Sequence, residues 1–255
     1  MNAIYELLKN GAKNYSVRVV DEINSTNSYL KDNAEILKDG AVIIAKKQTA
    51  GRGRLGRSFI SEKGGLYMSL IIKPSLCAEK SLFITTATAV AVARAIETVS
   101  DKKTGIKWVN DLFIDGKKVC GILVESTTNP KTGLLDYAVI GIGVNVYEPE
   151  NGFDAEIKDI AASVFGKSND NGDVTRLAAE ILNQLSDLLA EPHSKEVLNE
   201  YRNRSVVIGK KVDIIKGGNT VSATVIDIDD DAAIILELSN GEVIKKTSGE
   251  ISIRL

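Results

Sequence analysis

Cysteine and histidine are scarce in this 255-residue chain, and each shortage excludes a class of protein. Only Cys77 and Cys120 are present, too few for a disulfide framework. Both lie in apolar surroundings, so we predict small buried side chains in a reducing compartment. The single histidine, His193, has no cysteine or second histidine to complete a zinc site, and we interpret it as a surface residue.

Long apolar runs and a surplus of either charge are also missing. No apolar run reaches about 18 residues without a polar interruption, and the N-terminus lacks the basic-then-apolar pattern of a signal peptide. We therefore expect a cytoplasmic protein without a membrane span. The net charge of −2 gives no overall attraction to nucleic acid.

The apolar pattern predicts an α+β fold with a mixed β-sheet and flanking helices. Strands are predicted at 17–21, 41–45, 65–72, 105–109, 112–115, 119–125 and 135–146, and a hairpin turn at Asp115-Gly116. Helices are predicted at 1–9, from an N-cap at 24–27 to Gly40, at 81–99 and at 175–189.

The character of the chain changes near Ser205. Five short strand-like runs separated by turn residues follow, which predicts a small SH3-like β-barrel. We therefore expect a catalytic domain at 1–204 and the barrel at 205–255. Residues 205–255 contain six Lys or Arg against eight Asp or Glu, which speaks against a nucleic-acid-binding barrel.

The most informative stretch is the segment 51–57, in which three glycines alternate with Arg52, Arg54 and Arg57 directly after Lys46 and Lys47. Glycine lets backbone N–H groups turn toward a ligand, and arginine donates in a fixed fork that suits phosphate or carboxylate oxygens. We predict an anion-binding loop that becomes ordered when an anion arrives. A nucleic-acid contact and a solvated loop without a role are the alternatives.

Three further segments carry candidate chemistry. Lys107, Asn110 and Asp111 could hold a phosphate and its magnesium, although Asn-Asp is also a common turn pair. Lys118 stands at the mouth of a strand whose Gly121 allows close approach of a ligand, or is a solvated strand end. The third segment contains Gly141 and Gly143, which lie on the same face of a strand. The absence of side chains there leaves room for a flat ligand or for close strand packing.

These segments, in this order, resemble the motifs of the biotin protein ligases. The resemblance runs from about Asp21 to the C-terminus and includes the small barrel. Its most specific part is the Gly/Arg loop followed by Lys-Trp-x-Asn-Asp. Two positions depart from the usual family pattern: Val109 stands where proline is common and Phe59 where tryptophan is common.

The resemblance implies a role for each matching residue. The implied biotin-binding residues are Ser25, Thr26, Asn27, Gln48, Arg52, Gly53, Arg54, Lys118, Gly121, Leu123, Gly141 and Gly143. The implied ATP or adenylate-binding residues are Arg52, Arg54, Arg57, Lys107, Asn110 and Asn145. Lys118 and Arg54 are the implied catalytic residues, and Asn110 and Asp111 the implied magnesium ligands.

The implied reaction joins biotin to AMP at the expense of ATP, with Mg²⁺, and then transfers biotin to a lysine of a carboxylase's biotin carboxyl carrier domain. A lipoate or octanoate ligase on the same scaffold and a biotin-adenylate sensor without turnover are the alternatives. About sixteen residues precede the first catalytic strand, too few for the N-terminal DNA-binding domain of bifunctional family members. We therefore expect a ligase that does not bind nucleic acid, and the resemblance leaves a homodimer open.

Overall fold

Two β-sheets organise the chain in the computed structural model, which describes residues 2–167, 172–216 and 219–253. The larger sheet has the strand order β1-β2-β3-β7-β6-β5-β4, with β1 and β2 parallel and the other neighbours antiparallel. Its strands are β1 Ser16–Ile23, β2 Ala41–Gln48, β3 Leu66–Ile72, β4 Gly105–Lys107, β5 Asp111–Ile114, β6 Lys117–Thr128 and β7 Leu135–Val144.

The second sheet comes from the C-terminal part of the chain and is antiparallel throughout, in the order β11-β10-β9-β8-β12. Its strands are β8 Lys211–Lys216, β9 Asn219–Ile228, β10 Ile234–Leu238, β11 Val243–Lys246 and β12 Glu250–Ile253. The five strands predicted after Ser205 are therefore confirmed, as is the α+β class with a small C-terminal β-structure.

Five α-helices accompany the larger sheet in the described part of the chain: α1 Asn2–Leu7, α2 Thr26–Asp32, α3 Ser81–Ser100, α4 Asp173–Leu188 and α5 Lys195–Asn203. The alanine-rich α3 is the centre of the core, since it packs against α4, α5 and β6. The segment Ala78–Ser100 is apolar and long enough to cross a membrane by length and composition, yet 67% of its most apolar window is buried inside the protein. Core packing accounts for that apolar character.

Two helix predictions need correction. Helix α2 ends at Asp32 and not at Gly40, because the side-chain amide of Asn33 donates to Tyr29 O at 2.8 Å and closes the last turn. Helix α5 was not predicted as a helix, although Ser194 caps it by accepting a hydrogen bond from Val197 N. Cys120 is buried as predicted, whereas Cys77 is only partly buried.

The predicted hairpin turn between β5 and β6 is confirmed. Asp115 and Gly116 have φ values of +49° and +76°, as a two-residue turn of the primed type requires. The antiparallel pairing that follows this turn sets Asp111, at the β4–β5 connection, opposite Gly121 on β6. The candidate functional residues of both segments therefore face one region.

Candidate functional site

A cavity of about 180 Å³ lies between the start of α2, the loop after β2, the β4–β5 turn and strands β6 and β7. Every site residue predicted from the sequence lines it except Asn145. The sheet register explains the convergence, since Gly121 pairs with Gly143 and Leu123 with Gly141 across β6 and β7. Segments separated by about 100 residues therefore meet at one place.

Asn145 lies outside this lining. Its backbone N–H donates to Val119 O at 2.8 Å and its side-chain amide to Ala162 O at 3.2 Å. It borders a neighbouring cavity that also includes Tyr67 and Tyr147. The adenylate-binding role of Asn145 stays a prediction.

One side of the cavity is formed by uncharged and mostly buried polar side chains. We call them the polar floor; they are Ser25, Thr26, Asn27 and Gln48, with Ser69 behind them. The Gln48 side-chain oxygen accepts hydrogen bonds from Thr26 N at 2.8 Å and Thr26 Oγ1 at 3.1 Å. The hydroxyl of Ser69 lies 2.7 Å from Thr26 Oγ1 and 2.6 Å from Asn27 Oδ1. These mutual bonds hold the side chains in fixed orientations around the cavity.

The glycines of β6 and β7 are needed for close packing against this region. A β-carbon on Gly141 would lie 2.0 Å from Asn27 Oδ1. A β-carbon on Gly143 would lie 2.6 Å from the Phe59 ring, which also covers Gly121. In this structure the Phe59 ring covers Gly143 and Gly121, and Asn27 packs against Gly141.

The other side of the cavity is strongly cationic. Five lining residues are cations, namely Arg52, Arg54, Arg57, Lys107 and Lys118, whereas Asp111 is the lining carboxylate. Lys118 Nζ lies 2.7 Å from Asp111 Oδ1, as an ion pair without good hydrogen-bond geometry. An excess of four positive charges suits ligands with several negative charges.

Glu125 anchors the first arginine of the basic loop, a name we use for residues 51–59. Arg52 contacts both carboxylate oxygens at 3.2 Å, and Lys31 Nζ lies 2.6 Å from Oε1. Burial raises the pKa of Glu125. The hydrogen bonds from Lys31 and Asn27, together with the charges of Lys31 and Arg52, lower it by more, so the net pKa is below its usual value.

Arg54 connects the basic loop to two other parts of the molecule. Its guanidinium donates to Asn110 Oδ1 at 2.9 Å and to the carbonyl of Gly249 in the β11–β12 turn at 3.1 Å. Hydrogen bonds from Gly53 N to Arg57 O and from Phe59 N to Gly51 O fold the loop back on itself. The structure thus gives this loop a definite fold, and its ordering by an anion stays a prediction.

The β4–β5 turn, which presents Asn110 and Asp111, is fixed from behind. The Trp108 indole N–H donates to Ala232 O in the C-terminal β-structure at 3.1 Å, and the hydroxyl of buried Tyr201 in α5 donates to Val109 O at 3.0 Å. Asn110 itself donates to Ile122 O on β6 at 2.8 Å. The C-terminal region therefore helps to position the candidate site.

The residues at the turn fit a magnesium ion held mainly by phosphates rather than by a protein cage. Asp111 Oδ1 is buried without a hydrogen bond and lines the cavity, and Mg²⁺ commonly takes one or two carboxylates together with substrate phosphates. The side-chain oxygen of Asn110 already accepts from Arg54. No group of three or more His, Cys, Asp or Glu that could hold a metal ion occurs among the described residues.

Four side chains of the site were missed by sequence reasoning: Ser69, Glu125, Phe59 as the cover of the glycine face, and Tyr201. A local signal existed only for Glu125, which ends a run of apolar residues on β6. Burial raises the pKa of the nearby Cys120 thiol, so this cysteine does not supply a ready nucleophile.

Comparisons with known proteins agree with this arrangement. The sequence pattern described as the biotin/lipoate A/B protein ligase family matches residues 19–145, and that of the biotin protein ligase C-terminal domain matches residues 207–254. The bifunctional ligase/repressor BirA of Escherichia coli is 32% identical over 244 residues, which cover 94% of this chain and 74% of that protein.

The same-named protein of Bacillus subtilis is 33% identical over 212 residues, 80% of this chain. The chain spans 63% of that relative's length. Among solved structures, the biotin protein ligase from Aquifex aeolicus in complex with biotin and ATP superposes with a TM-score of 0.75 at 25% identity. The match covers 94% of this chain and 98% of that one.

Proposed function

Because the chain belongs to the biotin/lipoate A/B protein ligase family, we propose that it is an ATP-dependent biotin protein ligase. The observation that carries the proposal is one cavity with an uncharged polar floor on one side and five cations on the other. Such a cavity suits a ligand with a neutral polar ring system, a carboxylate and an adjoining phosphate.

In the first step the biotin carboxylate attacks the α-phosphate of ATP, and pyrophosphate leaves. The floor residues, with Gly141 and Leu123 beside them, hold the ring system. Lys118 and the loop arginines Arg52, Arg54 and Arg57 neutralise the two anions as they meet, with Lys107 contributing a further positive charge. Asp111, with Asn110 beside it, would hold Mg²⁺, which would supply additional neutralisation of the phosphates.

In the second step the amine of a carrier lysine attacks the acyl carbon of biotinyl-5′-AMP and AMP leaves. The mixed anhydride is sensitive to water, so the basic loop over the cavity protects it until the amine arrives. The reaction needs no side-chain nucleophile of the enzyme. We place it in the cytoplasm, with a biotin carboxyl carrier domain as the protein partner.

The choice of biotin over lipoate is supported by the match of residues 207–254 to the C-terminal domain of biotin protein ligases. The test is incubation with ATP, Mg²⁺, a purified carrier domain and either biotin or lipoate, followed by mass spectrometry of the carrier. A mass increase with biotin alone is expected. An increase with lipoate alone would reject biotin, and ligand-dependent binding without any increase would indicate a sensor.

A further inference from the structure

A second and larger cavity of about 510 Å³ adjoins the first one. We call it the side cavity. It is lined by the start of α3, the outer part of β6 and the β11–β12 turn, and it shares Arg54, Asn110 and Ile122 with the candidate site. A volume of this size falls in the range of about 300–1,000 Å³ that is usual for ligand pockets.

Arg54 stands at the boundary between the two cavities. Its guanidinium spans from Asn110 to the Gly249 carbonyl, and its side chain lines both spaces. If this side chain is displaced, the side cavity opens onto the place where the loop arginines and Lys118 would hold the adenylate. Such a displacement would connect the two spaces without any lifting of the basic loop.

The lining matches the chemistry of a lysine side chain. Leu82, Val109 and Val124 present apolar surface for an aliphatic stem, and the exposed carboxylate of Glu79 is the acidic group of the lining. Glu79 attracts an ammonium from solution, whereas the positive charge of Arg54 at the inner end favours loss of its proton. An amine must be neutral to attack an acyl carbon, so this order of charges suits an entering nucleophile.

Resting on the proposed function, we infer that the side cavity admits the acceptor lysine of the carrier protein. The neutral Nζ forms the C–N bond to the biotinyl carbon while the bond from that carbon to the phosphate oxygen breaks. AMP leaves with the electron pair of that bond, and the proton lost from Nζ passes to water.

The test separates the two half-reactions. Ser126→Trp fills the side cavity from an exposed strand position, and Thr128→Trp is its matched control, two residues further along β6 and outside the lining. We expect Ser126→Trp to lower kcat/KM for the carrier at least tenfold, with biotin-dependent pyrophosphate release unchanged in the absence of carrier. Equal kcat/KM values for the two variants would overturn the inference.

A charge variant gives an independent measurement. Glu79→Lys, with Glu35→Lys as an exposed control elsewhere, is expected to raise the KM for the carrier several-fold at low salt and less at high salt. If Ser126→Trp also slowed pyrophosphate release, the inference would be judged on Glu79→Lys alone. An unchanged KM of Glu79→Lys for the carrier at low salt would overturn it. Absence of biotin-dependent pyrophosphate release in the unmodified protein would instead reject the proposed function and the inference with it.

Discussion

The polar floor and the basic loop face each other across one cavity but are held in opposite ways. On the floor, Ser25, Thr26 and Asn27 are at most 4% exposed, and their hydrogen bonds run mainly to uncharged side chains and backbone, with one from Asn27 to the Glu125 carboxylate. In the loop, the Arg52 side chain is 43% exposed and is held by an ion pair with Glu125.

The difference indicates which half of the site adapts to a ligand. Breaking a buried network leaves polar groups unsatisfied, at about 1–3 kcal/mol each, so the floor keeps its shape. Exposed ion pairs contribute at most about 1 kcal/mol, so incoming anions can replace their carboxylate partners. The polar floor is thus suited to recognise a neutral ring. The arginines of the basic loop can exchange their carboxylate partners for the anionic groups of a ligand.

The largest expected effect comes from removing the cation at the mouth of β6. Lys118→Ala should slow pyrophosphate release measured without carrier by about 10²–10³-fold, because one donor to developing charge is worth ~3–4 kcal/mol in the barrier. Lys117→Ala is the matched control, since its exposed side chain does not line the cavity. Wild-type pyrophosphate release by Lys118→Ala would show that Lys118 takes no part in activation.

Arg54→Ala should chiefly impair retention of the adenylate. Each lost charge-assisted hydrogen bond is worth about 1.5–3 kcal/mol, which corresponds to roughly 10- to 150-fold in escape rate. Mass spectrometry should therefore find biotin on lysines of a bystander protein, together with slower labelling of the carrier. Lys46→Ala removes a cation whose exposed side chain pairs with Asp21, and it should label like the unmodified enzyme.

A change on β7 that presses against the polar floor should instead lower stability. Gly141→Ala places a β-carbon 2.0 Å from Asn27 Oδ1, so we expect overpacking to lower the free energy of unfolding by about 1–3 kcal/mol. Denaturant titration measures this loss, and biotin affinity should fall with it. In the double variant with Asn27→Ala the steric conflict is removed. The loss in the free energy of unfolding should therefore be smaller than the sum of the losses in the two single variants.

Hydrogen exchange can compare the two halves directly. Biotin and ATP together should increase protection of the amides in residues 51–57, because the ligand's anions replace water and surface carboxylates around the arginines. The amides of α2 and β7 near the floor should change little. Equal protection of the loop with and without ligands would contradict an exchangeable loop.

The smallest effect concerns pH. Because the folded-state pKa of Glu125 is lowered, its stabilising contribution is present above the usual glutamate pKa near 4.5 and is lost as the pH falls through the folded value. Glu125→Gln should therefore lose less stability than the unmodified protein over this acidic range. Glu35→Gln is the exposed control, and an identical acid profile for Glu125→Gln would show that the ion pairs of Glu125 contribute nothing.

Local patterns predicted most of the fold, and all but one of the site residues implied by the family resemblance line the cavity. Strand alternation and turn residues act over a few positions, so the hairpin at Asp115-Gly116 was accessible from the sequence alone. Ser69 was not, because it reaches Asn27 through the pairing of β3 with β7 and a sequence separation of 42 residues. The early end of α2 depends on one side-chain bond from Asn33 that competes with helix continuation.

The bond from the Trp108 indole to the carbonyl of Ala232 has a consequence for protein engineering. A cut at residue 205 would leave that buried N–H without its acceptor, at about 1–3 kcal/mol, and would also remove the carbonyl that Arg54 uses at Gly249. The small C-terminal β-structure therefore holds the β4–β5 turn and Arg54 in place at the candidate site. Minimal or chimeric versions should be designed with both parts together, since shortening the chain there removes part of the wall of its own site.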